Sequence, residues 1–198
     1  IKDKNYPKLL KEISKPPYFL YVRWKLLWDD NFFSVVWSRK ISTYAKNAWK
    51  QIIKELTNYF TIVSGWAFWC DTFAHKISLE SNKKTIVIFG TWIDKIYPSS
   101  NNLLYEEIIL KGWALISIFP IWTSWSLYTF PIRNEIVSWI SSGLFILQAW
   151  EKSWTLITAN LALEQGREVF AIPWNIFDDN FVWSNNLIKN WNAKFITS

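Results

Sequence analysis

The segment VSGWAFWCDTFAH, Val63–His75, places an acid four residues ahead of the chain's single histidine, just after a glycine. At that spacing Asp71 and His75 share a helix face. Nucleophilic or metal chemistry would need partners, and the sequence offers one cysteine, one histidine and no ligand-spaced cluster. No catalytic residue, metal or cofactor is therefore assigned. Asp71 suits a helix start or the organisation of the turn before it, and His75 suits a hydrogen bond beneath that turn. A second stretch, VVWSRK (Val35–Lys40), brings a hydroxyl on Ser38, a planar guanidinium on Arg39 and a point charge on Lys40. Those groups suit phosphate oxygens. A third, FPIRN, holds Phe130, Arg133 and Asn134, and SWTLIT opens with Ser153, Trp154 and Thr155, whose hydroxyls would line a crevice at a helix start. A serine nucleophile there lacks a base.

Tryptophan crowds these same stretches. The chain carries 16 Trp and 5 Gly, where ordinary usage would give roughly 14 Gly. Most of the tryptophans sit among Asp, Ser, Asn and Thr, in contexts such as GTWIDK, IWTSWS and IPWN. Those surroundings ask for a backbone with positive φ, which glycine supplies and tryptophan resists. The sequence is accordingly read as one in which most Trp stand for glycines, through a code where UGA means glycine. An AT-rich source agrees, with 18 Lys against 4 Arg and with 15 Asn. Glycine at Trp66 and Trp69 gives VSGGAFGCDTFAH, a strand, a small-residue turn and a helix start. Glycine at Trp37 gives VVGSRK, a second such turn. Small residues there let backbone N–H groups and a helix dipole meet an anion.

The elements that must position these groups alternate. Near-continuous apolar runs at residues 18–22, 32–36, 60–64, 85–89, 114–119, 143–148 and 168–172 read as strands buried on both faces. Residues 42–58, 71–79, 103–110, 133–141 and 155–165 read as helices. The pattern predicts an α/β fold, a Rossmann-like doubly wound and mostly parallel sheet with helices on both faces. Residues 1–25 read as a lead-in with a helix near Lys8–Ile13, and 26–198 as the α/β domain. Both small-residue turns then fall outside strand carboxyl ends, where such sheets bind ligands. The chain starts at Ile1 and is treated as a fragment. It has no run of eighteen apolar residues and no signal-peptide pattern, which predicts a soluble protein away from membranes. A lone Cys70 fits the reducing cytoplasm, and the net charge of +6 suggests an anionic partner.

With glycine restored, SGGAFGCDTFAHK, FGTGIDKIYPSSN, GGALISIFP, FPIRNEIVSGIS, EKSGTLITANLALEQGREVFAIPGNI and GSNNLIKNGNAKFI follow one another in order. In this the chain resembles the DNA-processing protein A family (DprA/Smf) over nearly its whole length. Ile118 and Gln148 stand where that family usually has acidic residues, and Trp28 and Trp49 lack clear glycine counterparts and are read as genuine. The resemblance implies a cytoplasmic homodimer, joined through the Rossmann domain, that binds and protects single-stranded DNA without catalysis. It also implies help in loading the RecA recombinase during natural transformation or recombination. The groove candidates are Ser38, Arg39 and Lys40, then Ser64, Gly65 and Lys76, then Phe130, Arg133 and Asn134. Trp37, Trp66, Trp69, Asp71, His75, Ser153, Trp154 and Thr155 would shape the turns. Each also admits a plain role: a salt bridge or helix cap for the arginines, turn packing for Phe130.

A nucleotide-processing enzyme of the phosphoribohydrolase-like Rossmann group is the alternative. Such enzymes carry a PGGxGTxxE turn, and the nearest equivalent here, QAWEKSWTLITA, lacks its glutamate. No G-x-G-x-x-G dinucleotide fingerprint can be assembled either.

Overall fold

A computed structural model describes residues 6–24, 31–37, 43–67, 70–149, 153–178, 181–190 and 192–196. The strands are β1 (Tyr21–Arg23), β2 (Phe32–Val36), β3 (Thr61–Ser64), β4 (Thr85–Ile88), β5 (Leu115–Ser117), β6 (Gly143–Ile146), β7 (Glu168–Ala171) and β8 (Lys194–Phe195). The helices are α1 (Lys8–Lys11), α2 (Thr43–Leu56), α3 (Cys70–Glu80), α4 (Asn102–Leu110), α5 (Thr129–Ile140), α6 (Trp154–Glu164) and α7 (Val182–Lys189). Among the described residues the strands form one sheet in the order β1-β5-β4-β3-β2-β6-β7-β8. Every neighbouring pair is parallel except β1 with β5. The α/β expectation, a mostly parallel sheet between helices, is the fold that forms.

Strand alternation sorts the core into two layers. Val36, Ile88, Ile116, Leu144 and Ile146 face α5 and α6, against Ile136, Val137, Ile140, Ala159 and Ala162. Phe33, Val35, Phe145 and Leu147 face the other way, against Ala45 and Ile53 of α2 and Ala74 and Ile77 of α3. Val87, Phe89 and Leu115 extend that second face under Leu104 and Ile108 of α4. A strand covered on both sides needs apolar residues at every position, which is why the runs read as continuous. The buried hydroxyls in these strands are satisfied: Ser34 Oγ donates to Val137 O at 2.6 Å and Ser117 Oγ to Thr91 O at 2.7 Å.

Three features depart from the sequence expectation. Helix α5 starts at Thr129, because Pro131 sits in its first turn, where proline's missing N–H has no partner to lose. Helix α7 and strand β8 carry too weak a signal to be expected; VWSNNLIK is polar and short, and Lys194–Phe195 makes its ladder only by pairing with β7. The lead-in is tied to the fold, with Tyr6 and Leu10 buried in the same cluster as Ile136 and Ile140 of α5, and β1 pairing β5 at the sheet edge.

The backbone also takes positive φ in unexpected company. Gly112 and Gly166 do so at +70° and +66°, as glycine does freely. Among the described residues the non-glycine residues in that region are Asn82, Trp24 at 70° and Trp122 at 72°. A bulky side chain there is strained.

Candidate functional site

The sheet changes its winding direction between β2 and β6, which lie side by side with Val36 opposite Ile146. In doubly wound sheets the ligand crevice opens outside the carboxyl ends of the strands at that point. β2 and its other neighbour β3 run parallel, so the turns that follow them leave the same edge of the sheet. Ser64 is wholly buried, and its Oγ donates to Val35 O at 2.7 Å. That bond clasps the end of β3 to the end of β2. Ser38, Arg39, Lys40 and Trp69 lie outside the described residues.

The turn after β3 is built around Gly65. A Cβ there would collide with the guanidinium of Arg133 and the carboxylate of Asp71. Asp71, in the first turn of α3, accepts the Ala67 N–H at Oδ2 (2.8 Å), so the carboxylate shapes the turn as it starts the helix. Arg133 comes from α5 on the opposite layer. Its Nη1 lies 3.7 Å from Asp71 Oδ2 and donates to Ile88 O at 3.2 Å, its Nε donates to Asn134 Oδ1 at 2.8 Å, and the guanidinium stands 5.5 Å from the centre of the Phe130 ring. Arg133 is 4% exposed and Asp71 8%. The pair therefore reaches over the carboxyl edge of the sheet from one layer to the other, across the one residue too small to block it. Burial lowers the arginine's pKa and Asp71 opposes the shift.

His75 lies under the same turn with no exposed surface. Desolvation holds its pKa below the usual 6.5, with the nearby Arg133 acting in the same direction against Gly65 and Asp71. The neutral ring donates from Nε2 to Gly65 O at 2.9 Å, and its Nδ1 lies 2.7 Å from the hydroxyl of Thr85, which also lies 2.9 Å from Ile62 O. Sequence reasoning misses Thr85; a polar residue opening a buried strand is its only signal. Lys76 is exposed on α3, and Phe130 and Asn134 are half-buried on α5. Ser153 caps α6 in an extended conformation, Trp154 is 42% exposed and Thr155 is buried. The indole N–H groups of Trp37 and Trp66 are buried with no hydrogen-bond partner, although Trp37 stacks on Trp49 at 4.4 Å between ring centres.

Arg133 pairs with Asp71, while Asp71, His75, Ser64 and Arg133 each hold a backbone atom at the carboxyl edge, and together they set the shape of the turn. No group of His, Cys, Asp and Glu among the described residues could hold a metal ion. No helix among them is long and apolar enough to cross a membrane.

The family model of DNA recombination-mediator protein A matches residues 1–198. The chain is 37% identical over 181 residues to DNA processing protein DprA of Bacillus subtilis, covering 90% of this chain and 61% of that protein. It thus spans under two thirds of that relative's length. The X-ray structure of DNA processing protein A from Streptococcus pneumoniae superposes with a TM-score of 0.89 at 32% identity, over 99% of this chain and 69% of the other. DNA processing protein A from Helicobacter pylori, solved to study its single-stranded DNA binding mode, gives 0.89 at 27% identity over 98% and 89%.

Two outcomes follow from the turn. Gly65→Ala forces the Asp71–Arg133 pair apart inside the protein and should destabilise it by about 2–4 kcal/mol, read by urea denaturation; an alanine variant as stable as the parent overturns the clamp. For His75, the unfolded chain binds a proton near pH 6.5 that the folded chain refuses until a lower pH. Stability is then full above that value and falls as the pH drops from it toward the depressed folded pKa. The melting temperature of His75→Gln should show a shallower fall than the parent's across that acid window, and parallel curves would remove His75 as the cause.

Proposed function

Because the chain belongs to the DNA recombination-mediator protein A family, we propose that it binds single-stranded DNA without sequence preference and without catalysing a reaction on it. The observation that carries this reading is that β2 and β3 run side by side to the switch-point edge of the sheet, where β3 is followed by the turn around Gly65, while Ser38, Arg39 and Lys40 follow β2 in the sequence. The single-stranded DNA binding mode studied in the Helicobacter pylori protein supports it, as does the net charge of +6. In this reading Arg39 supplies a phosphate clamp, Lys40 and Lys76 add charge, and Phe130 offers a ring for a base. Arg133 acts from below, by holding the turn in shape. The protein works in the cytoplasm.

The same family membership motivates two further parts of the proposal: a homodimer through the Rossmann domain, and help in loading RecA onto the bound strand. The apolar stretch Leu161–Ile172, which the sequence suggests as the joint, is not free to form it, because β7 lies between β6 and β8 with Val169, Ala171 and Ile172 buried. A two-fold interface is the commonest closed arrangement. Light scattering that reads a monomer at micromolar protein would remove the dimer, and RecA filaments that form on oligo-dT no faster with the protein present would remove the loading role.

We also propose that most of the tryptophans are glycines in the living protein. Among the described residues Trp24 and Trp122 supply two of the three non-glycine residues with positive φ, the third being Asn82. The buried, unpartnered indole nitrogens of Trp37, Trp49, Trp66 and Trp139 would each cost about 1–3 kcal/mol, against a total stability of roughly 5–15 kcal/mol. Trp49 is among them, although its sequence context has no clear glycine counterpart.

Intact mass of the natively expressed protein tests the recoding, and a mass that fits tryptophan at all sixteen positions ends it. In the glycine-restored protein, Arg39→Ala should weaken every oligonucleotide about equally. The slope of log affinity against log salt should become shallower by about 0.7 for each phosphate that the missing guanidinium leaves unneutralised. Arg39→Lys should fall between, keeping charge without bidentate geometry. Unchanged oligo-dT affinity and slope in the alanine variant would move the groove away from the first turn.

A further inference from the structure

Two residues past Gly65, Ala67 has both of its backbone polar groups held from the first turn of α3. Its N–H is taken by Asp71 Oδ2 at 2.8 Å, and its carbonyl receives the hydroxyl of Thr72 at 3.4 Å. A bond of that length is weak unless the hydroxyl proton has nowhere better to point. Asn101 supplies the constraint: its Nδ2 donates to Thr72 Oγ1 at 2.9 Å, so the oxygen uses a lone pair on the amide and turns its own proton toward Ala67 O. Both side chains are buried, Thr72 at 8% exposure and Asn101 at 4%. Asn101 stands at the N-cap of α4, where an asparagine ordinarily accepts an N–H of its own first turn. It makes no such cap bond. A side chain that serves a threonine 29 positions away instead of its own helix acts on α3 and the turn before it.

Asn101 closes the connection between β4 and α4, and that connection is itself braced. Thr91 Oγ1 donates to Lys95 O at 2.8 Å, Ser117 Oγ holds Thr91 O from the end of β5, and Lys95 Nζ donates to Ser124 Oγ at 2.8 Å in the connection after β5. That next connection reaches Ser126, whose Oγ accepts the Thr129 N–H at 3.2 Å where α5 begins. Helix α5 in turn carries Arg133 back to Asp71. β3, β4 and β5 run parallel, so the three connections that follow them leave one edge of the sheet, and these contacts join them in a closed ring. The bond from Asn101 to Thr72 is the link that ties the β4 connection to the Gly65 turn. We propose that Asn101 is a positioning residue for DNA binding: through Thr72 it fixes the carbonyl of Ala67, and with it the face that the turn presents to a bound strand. The proposal rests on the single-strand reading for its ligand, and on the hydrogen-bond geometry alone for the link.

The test measures oligo-dT affinity of the full chain by fluorescence anisotropy, well below the melting temperature, for Asn101→Ala, Thr72→Val and the two combined. Each single variant should weaken binding about three- to tenfold, the size of one net hydrogen bond. The slope of log affinity against log salt should stay as it is, since neither side chain carries charge. The double variant should bind no more weakly than Thr72→Val alone, because the amide acts through the hydroxyl. Thr72→Ser, which keeps the hydroxyl, should restore affinity to within about twofold of the parent. Losses that add in the double variant, or an unchanged affinity in Asn101→Ala, overturn the link: an asparagine that only supports α4 lowers the melting temperature and leaves the affinity of the folded chain where it was. If Asn101→Ala does not fold, the nearly isosteric Thr72→Val decides, and unchanged affinity there overturns the link as well. Hydrogen exchange of the Ala67 N–H, followed by NMR without DNA, separates this proposal from the single-strand reading, and it should quicken about threefold or more in both single variants. A parent that does not bind oligo-dT sinks the single-strand reading; the link then stands if both variants quicken Ala67 and falls if Asn101→Ala leaves its exchange unchanged.

Discussion

A buried ion pair that bridges two layers of a sandwich has to pass over the edge of the sheet, and in this protein Gly65 is the gap it passes through. Asp71 belongs to α3 on one face and Arg133 to α5 on the other. Their meeting fixes the height of the turn between them, and the Ala67 N–H held by Asp71 fixes its course. Separating such charges inside a protein leaves each uncompensated, which is far costlier than the pair itself is favourable. The turn is thus held by an electrostatic constraint within the protein itself.

Smaller bonds spread that rigidity along the carboxyl edge. Ser64 ties β3 to β2, His75 holds the Gly65 carbonyl from beneath, and Arg133 takes the carbonyl that closes β4. Each uses a buried polar group to fix a backbone atom, so the edge is organised without occupying a surface side chain. A surface assembled this way keeps the exposed Lys76 free of that network, while its shape rests on backbone.

The tryptophans strain this arrangement where they enter it. Trp37 and Trp66 begin the two turns, and both bury an indole N–H that finds no acceptor. Trp24 and Trp122 occupy a backbone region that suits glycine. The sheet itself is indifferent to them, because its strands contain none. Conflict between local residue choice and global fold thus concentrates at turns, which are the places where glycine does what no other residue can.

Continuous apolar runs with helical stretches between them were enough to determine the layered α/β sheet from the sequence, since a strand buried on both faces leaves no other pattern. The collinear motifs were enough to indicate the family. Asp71 and His75 were legible as a pair because helix spacing is local. Arg133 was legible only as a rare guanidinium, and sequence reasoning put it at the surface of a groove. Its burial depends on α5 crossing to meet α3, a contact between residues 62 positions apart in the chain, and no local pattern encodes that. The same holds for Thr85 under His75 and for β8 along β7. Periodicity and turn chemistry are properties of neighbours in sequence, whereas the partner of a buried polar group is chosen by which layers the folded chain brings together.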